Sequence, residues 1–125
     1  MKPPITAIVG TGRVAKGFHR DLKNIGVPCS GFVSGSRDRI DAFSAETGLP
    51  GFEFLRALLD ARPDTNTALI VNANHQHHDS TLEALARGLH VLCEKPMAVT
   101  FDECSEMVAA AEASSLTSRA MGSAV

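Results

Sequence analysis

Short apolar runs alternate along this chain with longer segments in which apolar residues recur at helical spacing. The first run, residues 5–9, is followed by Val14, Phe18, Leu22 and Ile25, which fall on one face of a helix. A later run, residues 68–71, is continuously apolar, which is typical of a parallel strand that is covered on both faces. Because such strands alternate with helices, the pattern predicts a parallel sheet with right-handed crossovers and helices on both faces.

The same criteria place the remaining elements and their ends. Gly48 and Gly88 are predicted to end the second and fourth helices. Ser80 and Glu83 have the spacing of a capping box, which predicts the start of the fourth helix, with a start one turn earlier left open. The predicted strands are residues 5–9, 29–33, 51–52, 68–71 and 90–93, and the predicted helices are marked by residues 13–25, 40–47, 55–59, 82–89 and 101–111.

The length of 125 residues suffices for one hydrophobic core but not for two full domains. Residues 1–114 are therefore predicted to form a single three-layer α/β domain. Residues 115–125 form a small, polar tail of weak pattern, which we interpret as the remnant of a sixth strand near Leu116.

Composition and charge argue against several classes of protein. Hydrophobic residues make up 44% and charged residues 21%, as in ordinary globular domains. A net charge of −2 gives no electrostatic case for binding nucleic acid or an anionic membrane. No apolar run approaches the ~18 residues that span a bilayer, and residues 1–4 lack a signal-peptide pattern. Cys29, Cys93 and Cys104 have neither zinc nor redox-pair spacing, which indicates a reducing cytoplasm.

The turn after the first strand carries the strongest candidate chemistry. Gly10-Thr11-Gly12-Arg13-Val14-Ala15 matches G-x-G-x-x-G/A between a predicted strand and a predicted helix. Gly10 permits the turn, Gly12 lets a pyrophosphate approach the backbone, and Ala15 lets the helix lie close to the strand. The phosphates would bind at the helix N-terminus. The motif predicts a Rossmann doubly wound domain that binds a dinucleotide; the alternative is a glycine-rich turn without a ligand.

The segment after the second strand contacts the adenosine ribose in such folds. No acid stands at the end of this strand, whereas Ser36 and Arg37 supply a hydroxyl and a guanidinium suited to phosphate. We therefore predict NADP as the preferred cofactor, with NAD as the second choice. In the alternative interpretation, Ser36 only caps the next helix and Arg37 is solvated.

Two further segments follow strand ends, where ligands of open parallel sheets bind. They are the loop of residues 72–78 and Glu94-Lys95-Pro96. Lys95 beside a bound nicotinamide would bind a substrate hydroxyl or carbonyl and pass a proton while hydride moves. Glu94 would hold its amine. The alternative for Lys95 is a surface charge after a strand.

Three imidazoles lie close together in the first of these loops. His75, His77 and His78 could in principle bind a metal. Only Asp79 nearby would complete a ligand set, so we predict no metal site.

Several motifs, taken in order, resemble the Gfo/Idh/MocA family of glucose–fructose oxidoreductase, inositol dehydrogenase and rhizopine-catabolism type enzymes. The resemblance covers residues 5–114. The matching motifs are Gly10-x-Gly12-x-x-Ala15, Phe18-His19-Arg20, Ser36-Arg37, Asn74-His75-x-His77-His78 and His90-Val91-Leu92-Cys93-Glu94-Lys95-Pro96-Met97-Ala98. The Glu-Lys-Pro segment in the last of these motifs is the most specific part of the resemblance.

The resemblance implies an N-terminal NAD(P)-binding domain followed by a larger substrate domain, and oxidation or reduction of a sugar, polyol or related compound. It implies that Lys95 is the catalytic residue and that the loop from Asn72 to His75 lies along the nicotinamide. Together with the residue-based inferences, the candidate cofactor-binding residues are Gly10, Thr11, Gly12, Arg13, Val14, Ala15, Ser36, Arg37, Asn72, Asn74, His75, Glu94 and Lys95.

Two departures from the family pattern shape the functional hypotheses. Ala73 stands where the family commonly has proline, and the sequence stops at Val125, without the substrate domain that supplies the assisting Asp and His. We expect a domain fragment, a shifted frame or a truncated gene, with dinucleotide binding but little turnover. The alternatives are a dinucleotide sensor or regulatory module without catalysis, and a non-functional remnant. The surface normally covered by the second domain leads us to expect self-association, including a homo-oligomer.

Overall fold

A computed structural model describes residues 3–93 and 118–120, which form a parallel sheet with helices on both faces. The predicted fold class is thereby confirmed. Within the described residues, the strands lie in the order β3-β2-β1-β4-β5-β6, and each pairs in parallel with its neighbour. The strands are β1 Thr6–Val9, β2 Cys29–Val33, β3 Gly51–Phe52, β4 Thr67–Ile70, β5 His90–Cys93 and β6 Ser118–Ala120.

Four α-helices and one 3-10 turn connect the strands in the described part of the chain. Gly48 adopts a left-handed conformation with φ 76° at the end of the second helix, and Gly88 has φ 83° after the fourth, as the sequence predicts. The helices are α1 Arg13–Asn24, α2 Arg37–Thr47, α3 Leu55–Ala61 and α4 His77–Ala86, and the 3-10 turn is Asn74–Gln76.

The domain has three layers, helices, sheet and helices, with one apolar cluster between the sheet and each helical layer. Both faces of the sheet contribute to these clusters, because successive residues of a strand face opposite sides. On β1, Ile8 packs with α1 and α2, whereas Ala7 and Val9 pack with α3 and α4. Phe32 and Phe43 anchor the first cluster, with ring centroids 4.7 Å apart. The helices therefore flank β1 on both faces, with α1 on one face and α4 on the other.

The predicted apolar face of α1 is wrong at both ends. Val14 is 41% exposed and Ile25 is 73% exposed. Val14 lies in the first turn beside a cleft, and Ile25 follows the last turn as the C-cap, so neither reaches the sheet. The helix packs instead through Ala15, Phe18 and Leu22.

The capping box predicted at Ser80 and Glu83 is also wrong. Helix α4 begins at His77 after an N-cap at Gln76, which is the earlier start that the sequence left open. The Ser80 hydroxyl instead accepts a hydrogen bond from the side-chain amide of Asn72. Tertiary contact with the β4 loop has replaced the local cap.

His19 on α1 should make folding sensitive to acid. Burial lowers its pKa from the usual 6.5, and the positive charge of Lys23 lowers it further. Below pH 6.5 the His19 side chain takes up a proton more readily in the unfolded chain than in the folded protein. The free energy of unfolding should therefore fall as the pH drops below 6.5. Urea unfolding at about pH 7.5 and 5.5 should show a shallower decline in His19→Gln than in the wild type. An equally steep decline in His19→Gln and in the wild type would contradict the assignment.

Candidate functional site

A cleft opens at the carboxyl edge of the sheet, between the ends of β1 and β4. Chain connections reverse direction at this point, and open α/β sheets bind ligands there. The cleft has a volume of about 630 Å³, within the range of small-molecule and cofactor sites. Its lining includes Gly10, Thr11, Gly12, Arg13, Val14, Ser34, Ser36, Arg39, Glu53, Phe54, Asn72, Ala73 and Gln76.

Gly10 ends β1 in a conformation that other residues rarely adopt. Its φ is 124°, and an added Cβ would lie 2.8 Å from backbone atoms of Val71 and Asn72. Its N–H donates to the carbonyl oxygen of Val33 at 2.9 Å. The turn is thus held between the ends of β2 and β4, which places the start of α1 over the cleft.

Gly12 leaves open space at the N-terminus of α1. It is the N-cap, and an added Cβ would meet no atom within 4 Å. The amide of Lys16 donates to the Gly12 carbonyl oxygen at 3.2 Å, so the three preceding helical amides have no helical carbonyl to bind. Ala15 is fully buried against the sheet, which allows this close approach of helix and strand. The arrangement fits an anionic group held by backbone N–H donors.

The second strand leads into a polar corner of the cleft. Ser36 caps α2 by accepting a 3.4 Å hydrogen bond from the Arg39 amide, and its own amide donates to the Ser34 hydroxyl. Arg37 bonds instead to the carboxylate of Glu53, with Nη2 and Oε1 2.8 Å apart. Of the described residues here, Ser34, Ser36, Arg39 and Glu53 line the cleft, whereas Arg37 does not.

Sequence reasoning missed three residues of this corner: Arg39, Glu53 and Phe54. Arg39 stands three residues after the Ser36 cap, on the first turn of α2, and this spacing could have identified it. Glu53 follows the two-residue strand β3, and its position beside β2 depends on the strand order. Phe54 is the N-cap of α3, makes no side-chain cap and is 64% exposed, which is unusual for a large apolar residue.

Helix α4 holds the loop after β4. The side-chain amide of Asn72 donates to the Ser80 hydroxyl at 2.8 Å, and the backbone oxygen of Asn72 lies 2.9 Å from Nε2 of the fully buried His77. The Ala73 amide donates to the side-chain oxygen of Gln76 at 3.3 Å. A proline at position 73 would lack this donor, so the departure from the family pattern gives the loop an additional hydrogen bond.

The predicted nicotinamide and catalytic residues are described only in part. His75 is exposed in the 3-10 turn, and Asn74 belongs to the same turn. Glu94 and Lys95 lie outside the described residues. His78 contacts the carboxylate of Asp79 at 3.0 Å, and across residues 3–93 and 118–120 no three His, Cys, Asp or Glu side chains group as metal ligands. In the same ranges, no helix has the length and apolarity needed to cross a bilayer.

Known proteins resemble this chain in sequence and in fold. The family model described as "Oxidoreductase family, NAD-binding Rossmann fold" (GFO_IDH_MocA) matches residues 5–120. The 1,5-anhydro-D-fructose reductase of Ensifer adhaerens is 37% identical over 79 residues, covering 63% of this chain and 24% of that protein. The glucose-6-phosphate 3-dehydrogenase of Bacillus subtilis (strain 168) is 31% identical over 106 residues, covering 84% of this chain and 29% of that protein.

Solved structures agree on the fold. The WlbA dehydrogenase from Chromobacterium violaceum, in complex with NADH and UDP-GlcNAcA, superposes with a TM-score of 0.87 at 25% identity, over 97% of this chain and 36% of that chain. The myo-inositol 2-dehydrogenase from Lactobacillus plantarum superposes with a TM-score of 0.81 at 25% identity, over 95% and 36%. The chain spans between about a quarter and a third of the length of the two related enzymes from Ensifer adhaerens and Bacillus subtilis. Because the family model matches residues 5–120, and the glycine turn and the cleft agree with it, the chain belongs to the Gfo/Idh/MocA oxidoreductases as their NAD-binding Rossmann domain.

Proposed function

We propose that this domain binds NADP in preference to NAD and serves an oxidoreductase that acts on a sugar, polyol or related compound. The observation that carries the proposal is the open space over Gly12, at the helix N-terminus and on the wall of the cleft. A dinucleotide pyrophosphate requires such a position, because its oxygens must reach backbone amides without meeting a side chain. Thr11, Arg13 and Val14 flank this position.

The adenosine end of the cofactor would lie in the corner formed by Ser34, Ser36 and Arg39. The two hydroxyls and the guanidinium on the cleft wall match the acceptors of a ribose 2′-phosphate. Arg37 lies one residue after Ser36 and can turn toward the same group when it leaves Glu53. An acid at the end of β2, which would favour the ribose hydroxyls of NAD, is missing, since Ser34 occupies that position.

The nicotinamide end would face the loop after β4, with Asn72, Asn74 and His75 along it. The bound cofactor would supply or accept a hydride. Glu94 and Lys95 follow β5 in the sequence, and we propose that Lys95 exchanges a proton with the reacting hydroxyl or carbonyl while Glu94 holds its amine. The related dehydrogenases of glucose 6-phosphate and inositol support a sugar or polyol as the substrate class. The free, half-buried thiol of Cys29 supports a reducing, cytoplasmic location.

NADPH should bind this protein more tightly than NADH. The chain has no Trp or Tyr, so the fluorescence of the reduced nicotinamide can be followed directly during titration. Arg39→Gln should weaken NADPH about tenfold and NADH little, because a charge-assisted hydrogen bond to phosphate is lost. Arg37, the residue that the sequence indicates, is tested by Arg37→Asp, which should also weaken NADPH more than NADH.

Arg20→Gln supplies the control for these variants. Arg20 is an exposed arginine of α1 outside the cleft lining, so its loss should leave both affinities unchanged. Equal binding of the two cofactors by the wild type, or an unchanged ratio in both Arg37 and Arg39 variants, would remove the proposed preference for NADP.

A further inference from the structure

The corner formed by Ser34, Ser36 and Arg39, called here the adenosine corner, also contains an acid, Glu53. This residue follows β3 and not β2, the strand that leads into the corner. The amide of Ser34 donates to the carbonyl oxygen of Phe52 at 3.0 Å, and Val33 pairs with Phe52 in the sheet. Glu53 therefore follows β3 at the level where Ser34 follows β2. Because Glu53 lines the cleft, its carboxylate stands one strand away from the position that an NAD-selecting acid occupies in this fold.

The Glu53 carboxylate also forms an ion pair with the side chain of Arg37. Arg37 Nη2 and Glu53 Oε1 are 2.8 Å apart, so the guanidinium is paired with Glu53, and Arg37 itself does not line the cleft. The two side chains remain 62% and 46% exposed, so water screens the pair and exchange of partners costs little. The pair is thus able to open when a stronger anion, such as a phosphate dianion, enters the corner.

Resting on the proposed dinucleotide function, we propose that Glu53 sets the balance between the two cofactors. Toward NADP, Glu53 competes with the 2′-phosphate for Arg37 and so weakens binding. Toward NAD, which has no such phosphate, the same carboxylate accepts a hydrogen bond from the ribose 2′-hydroxyl. Glu53 thereby limits the NADP preference that Ser36, Arg37 and Arg39 would otherwise produce.

Glu53→Gln in the 125-residue chain tests this proposal. NADPH should bind about fivefold more tightly and NADH about threefold more weakly, so that the ratio of their dissociation constants changes by about fifteenfold. The change in NADPH affinity should shrink between low and high salt, because screening weakens exposed charge pairs. Glu46→Gln is the matched control: Glu46 forms a 2.8 Å pair with Lys16 of similar exposure but does not line the cleft, and both affinities should stay at wild-type values.

The variant Arg37→Gln separates the two effects of Glu53. In the Arg37→Gln background, Glu53→Gln should no longer tighten NADPH, since the competition has been removed, but should still weaken NADH. Circular dichroism establishes that each variant is folded, and Glu53→Ala serves as a second substitution.

The possible failures are distinguishable. Wild-type protein that binds neither dinucleotide would overturn the proposed function itself. Wild-type binding with an unchanged NADPH-to-NADH ratio in both Glu53 variants would overturn only the role of Glu53. An equal change of the NADPH-to-NADH ratio in Glu46→Gln would show that the effect comes only from net charge. If Glu53→Gln still tightens NADPH binding in the Arg37→Gln background, Glu53 does not compete with the 2′-phosphate for Arg37.

Discussion

Gly10→Ala is expected to lower the free energy of unfolding by about 3 kcal/mol and to abolish dinucleotide binding. The loss has two causes. An alanine at φ 124° is strained, and its Cβ would stand 2.8 Å from the backbone of Val71 and Asn72, which side-chain movement cannot relieve. Relief requires β1 and β4 to separate at the edge where the cofactor would bind. Both fold and site should therefore suffer.

Urea unfolding followed by circular dichroism measures the first effect, and nicotinamide fluorescence measures the second. Gly17→Ala is the matched control, because Gly17 lies within α1, has no positive φ and would place its Cβ in open space. Alanine in a helix interior is favoured over glycine by about 0.5–1 kcal/mol, so this variant should be as stable as the wild type or more so. A wild-type unfolding midpoint in Gly10→Ala would show that the turn is not constrained as described.

Gly12→Ala should separate binding from stability. In the free protein the added Cβ meets nothing within 4 Å, so the free energy of unfolding should stay within about 1 kcal/mol of wild type. With a dinucleotide bound, the same methyl group would occupy the space that the pyrophosphate needs. NADPH and NADH affinities should both fall about a hundredfold, since overpacking removes the backbone contacts as well.

The equal loss of both cofactors distinguishes this position from the adenosine corner, where only one of them should respond strongly to Arg39→Gln. Undiminished binding by a folded Gly12→Ala protein would mean that the phosphates do not approach the first turn of α1. The proposed function would then lose the observation on which it depends.

Much of the architecture was predictable because it depends on local periodicity. The strands at residues 29–33, 51–52 and 90–93 lie where the apolar runs predict them. The two failures, at the ends of α1 and at the start of α4, are places where long-range contacts override local signals. Val14 has helical spacing but faces a cleft, and Ser80 has a cap-like spacing but binds Asn72 instead.

The glycine turn of the candidate site was predictable from the sequence for a different reason. Strand, turn and helix are consecutive there, so the spacing of Gly10, Gly12 and Ala15 already contains the geometry that a pyrophosphate needs. The adenosine corner has no such local definition. Its residues come from β2, α2 and β3, and the sequence does not state which strand lies beside β2.

The amino-acid sequence by itself determined the layered parallel sheet, the glycine turn, the family and the class of cofactor, because short-range patterns of apolar, small and polar residues specify each of them. Only the tertiary structure decided which charges meet. Pairing of β3 with β2 brings Glu53 to Arg37 across 16 positions of sequence and leaves Arg39 on the cleft wall. Such contacts depend on strand order and register, which are fixed by burial over the whole sheet rather than by neighbouring residues.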